Sequence, residues 1–322
     1  MPEIYDVVIV GAGPAGLAAA IYTSRDRHKT IILDKSIPGG QINNTDRIEN
    51  YPGFLRVSGA ELVGNMENQC RTFGAEIRQL AAVTAVKALP DGKISVEING
   101  EEQILTRVVI LTPGSDYRKL GIPGEDRFRQ SGTGVSYCGT CDAPFYQDKT
   151  VVSVGGGNTA IQETLHLAKY VKKLYLVHRR DQFRAEKILV EELDREVQAG
   201  KIELVLDTTL ISIEGKDRVE YVKTKNIKTA HEGVIECDGV FVFIGMVPNT
   251  HFLKGFVPLD EHGFVQCDPW YLRTSIPGIF VAGDCRTAAA MQLATAAGDG
   301  VAVAMTVSKY LTDPAWWTKP GP

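Results

Sequence analysis

Two cysteines separated by two residues, Cys138 and Cys141 in "SYCGTCDAPFY", are the side chains of this chain best suited to two-electron chemistry. A C-x-x-C pair can close a reversible intrachain disulfide, and local electrostatics can lower one thiol's pKa until it attacks as thiolate. Zinc would need two further ligands at comparable spacing, and the sequence has neither a second close Cys pair nor a His pair. No metal is expected. Inert buried thiols are the plainer alternative. The redox reading fits the pair better, and it makes Asp142, directly after Cys141, a candidate proton carrier.

The pair stands just ahead of "KTVVSVGGGNTAIQETLHLAKYVKKLYLVHRR" (149–180), which repeats the plan of "YDVVIVGAGPAGLAAAIYTSRDRHKTIILDK" (5–35). Each reads as strand, Gly-rich turn, helix and second strand, a βαβ unit. In the first, Gly11, Gly13 and Gly16 fit G-x-G-x-x-G, which needs a tight turn, a close approach to pyrophosphate and close helix-to-strand packing. Gly155, Gly157 and Ala160 fill the same roles in the second. The phosphates would sit on the amides at each helix N-terminus. One such match is a weak signal; two, each flanked by strand and helix, are a strong one.

The end of the second strand selects the nucleotide, because a carboxylate there binds a free ribose whereas a cation accommodates a 2′-phosphate. Asp34 ends the first unit, which suits FAD or NAD. The same step from Gly155 lands on His178, followed by Arg179, Arg180 and Arg184, which suits NADPH. The bland alternative for "HRRDQFRAEK" is a solvated basic face. NADPH delivers hydride, and a disulfide is ordinarily reduced through a flavin that takes the hydride and passes the electron pair to sulfur. The Asp34 site is therefore expected to hold FAD.

At roughly 100–200 residues per domain, a chain of this length suggests two. Each βαβ unit runs on into hairpin-like stretches, "LPDGK" and "EINGEEQ" after the first and "SIEGKDRVEYV" after the second. The expected fold is α/β, two Rossmann-like dinucleotide-binding domains of three-layer ββα type. An NADPH-binding domain (118–246) carrying the C-x-x-C pair is inserted into a discontinuous FAD-binding domain (1–117 and 247–322). A net charge of −4, with no basic cluster tracking a helix, argues against a nucleic acid partner. No apolar stretch is long enough to span a bilayer, the N-terminus is unlike a secretory signal, and the six cysteines are scattered. A cytoplasmic protein is expected.

With "GAGPAGLAAA", "PGGQINNTDRIENYPG", "YCGTCDAPFY", "GGGNTAIQE", "HRRDQFRAEK", "SIPGIFVAGD" and "QLATAAGDG", the chain resembles the low-molecular-weight thioredoxin reductases over nearly its whole length. The resemblance implies a homodimer with FAD, NADPH and a domain rotation that presents nicotinamide and dithiol in turn to the flavin. It implies that Gly11, Gly13, Gly16 and Asp34 hold the FAD adenosine diphosphate and that Gly40, Gln41 and Asn50 lie along the flavin. Gly283 and Asp284 would reach the ribityl-phosphate region, and Gln292 the ring. Asn158 and Thr159 would join the NADPH turn. Cys141 becomes the flavin-facing sulfur, Cys138 the one that attacks the partner's disulfide, and Asp142 the acid. The implied partner is thioredoxin or a similar small dithiol protein. Two alternatives keep flavin and dithiol: ferredoxin as electron donor, and a non-catalytic redox sensor.

The chain departs from that family's pattern in three places. Thr112-Pro113-Gly114 stands where A-T-G is usual, Met291-Gln292 where R-Q is usual, and the C-terminus continues into "DPAWWTKPGP". Trp316 and Trp317 are expected to dock, restrained by Pro314 and Pro320. They would pack on their own subunit's surface, at the dimer interface, or against a partner's flavin.

Overall fold

In the computed structural model, which describes residues 4–45 and 48–318, the chain forms two compact units, 1–116 with 247–322, and 117–246. The first begins with β1 (Ile4–Val10), α1 (Pro14–Arg25) and β2 (Thr30–Leu33). β1 is rich in β-branched residues and almost wholly buried, as a central parallel strand must be. α1 opens with Pro14, whose fixed φ suits a first helical turn, and is lined with alanines. Next come α2 (Gly59–Thr72), whose N-cap Ser58 accepts from the Glu61 amide at 3.2 Å, and β3 (Glu76–Arg78). A meander of β4 (Val83–Ala88), β5 (Ile94–Ile98) and β6 (Glu102–Leu111) turns at "LPDGK" and "NG", and β7 (Ser115–Tyr117) leads out.

The second unit carries α3 (Glu125–Gln130), β8 (Val135–Ser136) and the one-turn helix α4 (Gly139–Asp142). Its βαβ core is β9 (Thr150–Gly155), α5 (Asn158–Ala168) and β10 (Lys173–Val177), continued by α6 (Lys187–Gln198) and β11 (Ile202–Val205). The antiparallel strands β12 (Thr208–Glu214), β13 (Tyr221–Asn226) and β14 (Glu232–Glu236) follow, then β15 (Gly239–Phe243). A five-stranded parallel sheet in the order β11-β10-β9-β15-β8 faces α5 and α6 on one side and the three-stranded sheet on the other. That is the three-layer ββα arrangement.

β16 (Met246–Pro248) pairs with β7, so the two chain crossings form one short ribbon. The first unit resumes with β17 (Ile279–Val281) and α7 (Leu293–Thr312). Its sheet runs β3-β2-β1-β6 in parallel, with β17 beside the C-terminal half of β6 and the meander beside the N-terminal half. α1 and α7 meet at backbone distance: a Cβ on Gly300 would lie 2.1 Å from the Ala15 carbonyl oxygen. α1 is thereby fixed against both the sheet and α7.

Beyond α7, Trp316 and Trp317 fold back onto their own unit. Trp316 is buried edge-on against Tyr271 at 4.7 Å, and Trp317 meets Phe280 at 5.1 Å and Tyr310 at 5.2 Å. The Arg273 guanidinium lies over Tyr271 and Trp316 and donates to the Trp317 carbonyl. The tail thus packs both indoles on an aromatic and cationic shelf of its own unit. Pro320 lies outside the described residues.

Candidate active site

In the first glycine turn the three positions have different tasks. Gly11, at φ +107°, is closed in: a Cβ there would stand 2.3 Å from the Thr112 carbonyl oxygen. A Cβ on Gly16 would stand 2.0 Å from the Gly11 carbonyl oxygen. Gly13 faces open space, with nothing within 4 Å, and no side chain caps the helix it begins. The amides of α1 are therefore left for an anionic ligand. Asp34, at the end of β2, braces the turn by accepting from the Ala12 amide at 2.6 Å and from the Ser36 amide at 2.8 Å. Thr112 adds a bond to the Gly11 carbonyl at 2.9 Å, and Asn249 donates to the Pro113 carbonyl at 3.1 Å. The Thr-Pro-Gly departure thus supports the turn from beneath.

Three further elements of this unit gather the other expected residues. Gln41, after Gly40, donates to the Ser115 carbonyl at 3.0 Å and to Asp116 at 2.7 Å. Asn50 donates to Gln292, at the start of α7, at 3.4 Å. Gly283 donates to Asp299 at 3.0 Å, and Arg286 grips the same carboxylate through two nitrogens. Asp284 lacks such a partner: its Oδ1 is buried without a hydrogen bond among the described residues. Burial, reinforced by Asp299, pushes its carboxyl up to about 6. A buried acceptor left unmatched costs stability unless a ligand supplies the donor. A polyol such as the ribityl chain of FAD supplies such donors, so the residues present fit the flavin nucleotide.

The second glycine turn repeats this division. A Cβ on Gly155 would meet Ala160 Cβ and the Phe243 carbonyl oxygen, each at 2.5 Å, while Gly157 again opens an uncapped helix toward empty space. Thr159 is exposed at that opening, and Asn158 is tied to Glu186 by reciprocal bonds of 2.9 and 2.8 Å. His178 is buried with its ring against Gly156, where a Cβ would come within 2.2 Å, and stacked on Phe183 at 5.2 Å. Burial holds its pKa below the usual histidine range, which favours the neutral ring. Arg179, Arg180 and Arg184 instead line an open cleft of about 410 Å³. Lys228, in the β13–β14 turn, also lines it and pairs with Asp181 and Asp207 at 2.8 and 2.9 Å. Sequence reading missed Lys228, since only the tertiary hairpin brings it there.

Cys138 and Cys141 are joined by a disulfide across α4, their Cα atoms 5.3 Å apart. The Cys141 amide donates to Cys138 Sγ at 3.1 Å, so a thiolate formed there would inherit a backbone donor. Ser136 donates to Asp142 Oδ2 at 2.6 Å and accepts from the Cys138 amide at 3.1 Å. Burial raises the Asp142 carboxyl above the ordinary aspartate range, against the lowering effects of the Ser136 bond and Arg129. Thr140, inside the turn, donates its amide and hydroxyl to Glu163 of α5. Neither Ser136 nor Glu163 had a sequence signal. The remaining cysteines are free; burial pushes Cys70, Cys237 and Cys285 up to about 12 and Cys267 up to about 11. They are poor nucleophiles.

Two glycine turns and a C-x-x-C disulfide in a ββα frame point to one family, and residues 5–300 match the pyridine nucleotide-disulphide oxidoreductase model. The chain belongs to that family. Within it, the chain is 39% identical over 313 residues to thioredoxin reductase of Listeria innocua, covering 97% of this chain and 95% of that protein. It is 38% identical over 314 residues to thioredoxin reductase of Bacillus subtilis, covering 97% and 96%. The crystal structure of thioredoxin reductase from Streptococcus pyogenes superposes with a TM-score of 0.89 at 37% identity, covering 97% of this chain and 99% of that one. This oxidoreductase is accordingly a member of the low-molecular-weight thioredoxin reductases. No helix among the described residues is long and apolar enough to cross a membrane.

Proposed function

We propose that this oxidoreductase passes electrons from NADPH, through FAD and the Cys138–Cys141 pair, to the disulfide of a thioredoxin-type protein. The supporting observation is that one unit carries both the disulfide and a glycine turn beside an arginine-lined cleft. Gly11, Gly13, Gly16 and Asp34 bind the adenosine diphosphate of FAD, and Gly40, Gln41 and Asn50 lie along its flavin side. Gly283 and Asp284 take the ribityl-phosphate region, and Gln292 the ring. FAD held by these residues would supply two-electron carriage between a hydride donor and the disulfide. Gly155, Gly157, Asn158, Thr159 and Ala160 receive the NADPH pyrophosphate. Arg179, Arg180 and Arg184 read the 2′-phosphate, and His178 supports the turn from beneath.

In the reduced pair, Cys138 attacks the partner's disulfide as thiolate and forms a mixed disulfide. Cys141 then displaces the partner, which leaves with two thiols as the Cys138–Cys141 bond re-forms. Asp142, whose carboxyl burial raises above the ordinary aspartate range, supplies a proton to the departing sulfur. The unit of function is a homodimer.

Purified yellow protein supplied with NADPH should reduce oxidised thioredoxin, with NADH a poor substitute. Turnover only with reduced ferredoxin would shift the donor assignment, and flavin reduction without disulfide turnover would favour a sensor.

A further inference from the structure

The two residues inside the C-x-x-C turn are fitted to a carboxylate from another element. Glu163 Oε2 accepts from the Thr140 amide at 2.9 Å and Oε1 from the Thr140 hydroxyl at 3.2 Å. Gly139 makes room for it: a Cβ there would stand 2.4 Å from Glu163 Oε2 and 3.3 Å from the Phe243 ring. Glu163 belongs to α5, the helix whose first residues follow the second glycine turn. The helix offered to the nucleotide therefore also grips the dithiol turn.

We propose that Glu163 is a positioning residue that clamps the dithiol turn to α5 and keeps the Cys138–Cys141 pair strongly reducing. The inference rests on the pair being redox-active, as proposed above. A thiolate at Cys138 gains from amide donors in the turn, and the Cys141 amide already points at that sulfur. Glu163 takes the neighbouring Thr140 amide away from any thiolate and stands a negative charge beside the turn. Both effects disfavour the thiolate. Whatever disfavours the thiolate destabilises the reduced pair and makes its potential more negative. Other groups that bear on the turn are Asp142 within it, Tyr146 in the turn that follows, and Arg129 at the end of α3, whose charge reaches Asp142. Glu163→Gln changes none of them.

The test is a redox titration of the FAD-loaded protein in dithiothreitol buffers of graded ratio, followed by acid quench and thiol counting with a mass-tagged maleimide. Reduction breaks the Cys138–Cys141 bond and adds two electrons with their protons; dithiothreitol supplies both and closes to its ring disulfide. Glu163→Gln keeps an acceptor for Thr140 but removes the charge. It should shift the equilibrium roughly tenfold toward the dithiol, a potential about 30 mV less negative. Iodoacetamide should also alkylate the reduced pair at lower pH than in the wild type. Gly139→Ala, whose methyl group displaces the carboxylate, should move the potential the same way and carries the test if Glu163→Gln fails to fold. Wild-type potentials and alkylation profiles in these variants, even with lowered melting temperatures, would overturn the role of Glu163. A wild-type pair that does not cycle reversibly would instead overturn the redox reading on which it rests.

Discussion

Ser136 and Asp142 are joined by a hydrogen bond of 2.6 Å, the hydroxyl donating to Oδ2, so a half-buried carboxyl beside the dithiol is held in one orientation. Burial raises its pKa, and the Ser136 bond, by favouring the anion, works in the opposite direction. Removing that bond in Ser136→Ala should raise the pKa further. A general acid acts while protonated, so the high-pH limb of thioredoxin reduction should move to higher pH. Asp142→Asn should slow the same reaction by about 100-fold. A limb that moves to lower pH in Ser136→Ala would contradict the acid role.

Arg179 and Arg180 line the cleft beside the second glycine turn, together with Lys228. Each charge-assisted contact to a phosphate is worth about 1.5–3 kcal/mol, or roughly 10- to 100-fold in affinity. Replacing both arginines with neutral residues should weaken 2′,5′-ADP binding by at least that factor while 5′-AMP binding changes little. Calorimetry distinguishes the two ligands directly. Equal losses would mean that these arginines do not read the 2′-phosphate.

Asp284 should report on its unmatched carboxylate through stability. Its pKa of about 6 in the folded chain exceeds the ordinary value for an unfolded one, so the folded state holds the proton longer as pH rises. Wild-type apoprotein should therefore lose stability between about pH 4 and pH 6, by up to ~3 kcal/mol. In Asp284→Asn that loss disappears, and the variant's advantage over wild-type apoprotein should grow across the window and then level off. FAD retention should fall in the same variant. Parallel pH–stability curves would remove the case for a buried acceptor awaiting a donor.

The tail makes a simpler prediction. Deleting residues 314–322 removes the buried Trp316 and its contacts with Tyr271 and Arg273, at a cost of about 3–5 kcal/mol on the scale of large aromatic truncations. The melting temperature should drop while flavin fluorescence stays unchanged. Brighter flavin would mean that the indoles quench it.

The parts of the fold legible in the sequence are those encoded locally. Gly11, Gly13 and Gly16 follow a strand and open a helix, as do Gly155, Gly157 and Ala160, so pattern and spacing sufficed for both βαβ units. The meander turns at "LPDGK" and "NG" carried ordinary hairpin signals. What sequence could not supply depends on burial or on distant chain. His178 shares its register with a 2′-phosphate cation, yet it packs beneath Gly156, because a ring at that spot fills the space a glycine leaves. Lys228 reaches the cleft only through the β13–β14 hairpin, and Glu163 reaches Thr140 only because α5 packs on α4. Trp316 and Trp317 pack on Tyr271, Arg273, Phe280 and Tyr310 of their own unit, a set of partners that no tail composition encodes.

Anaerobic titration of the oxidised yellow protein with NADPH, monitored by flavin absorbance, tests the proposed electron path most directly. A flavin and a disulfide in series each hold an electron pair, so full bleaching of the wild type should take about twice the NADPH needed by the Cys138→Ser, Cys141→Ser double variant. Added oxidised thioredoxin should restore the colour of the wild type alone. Equal NADPH uptake by both proteins, or no bleaching until reduced ferredoxin is supplied, would contradict it.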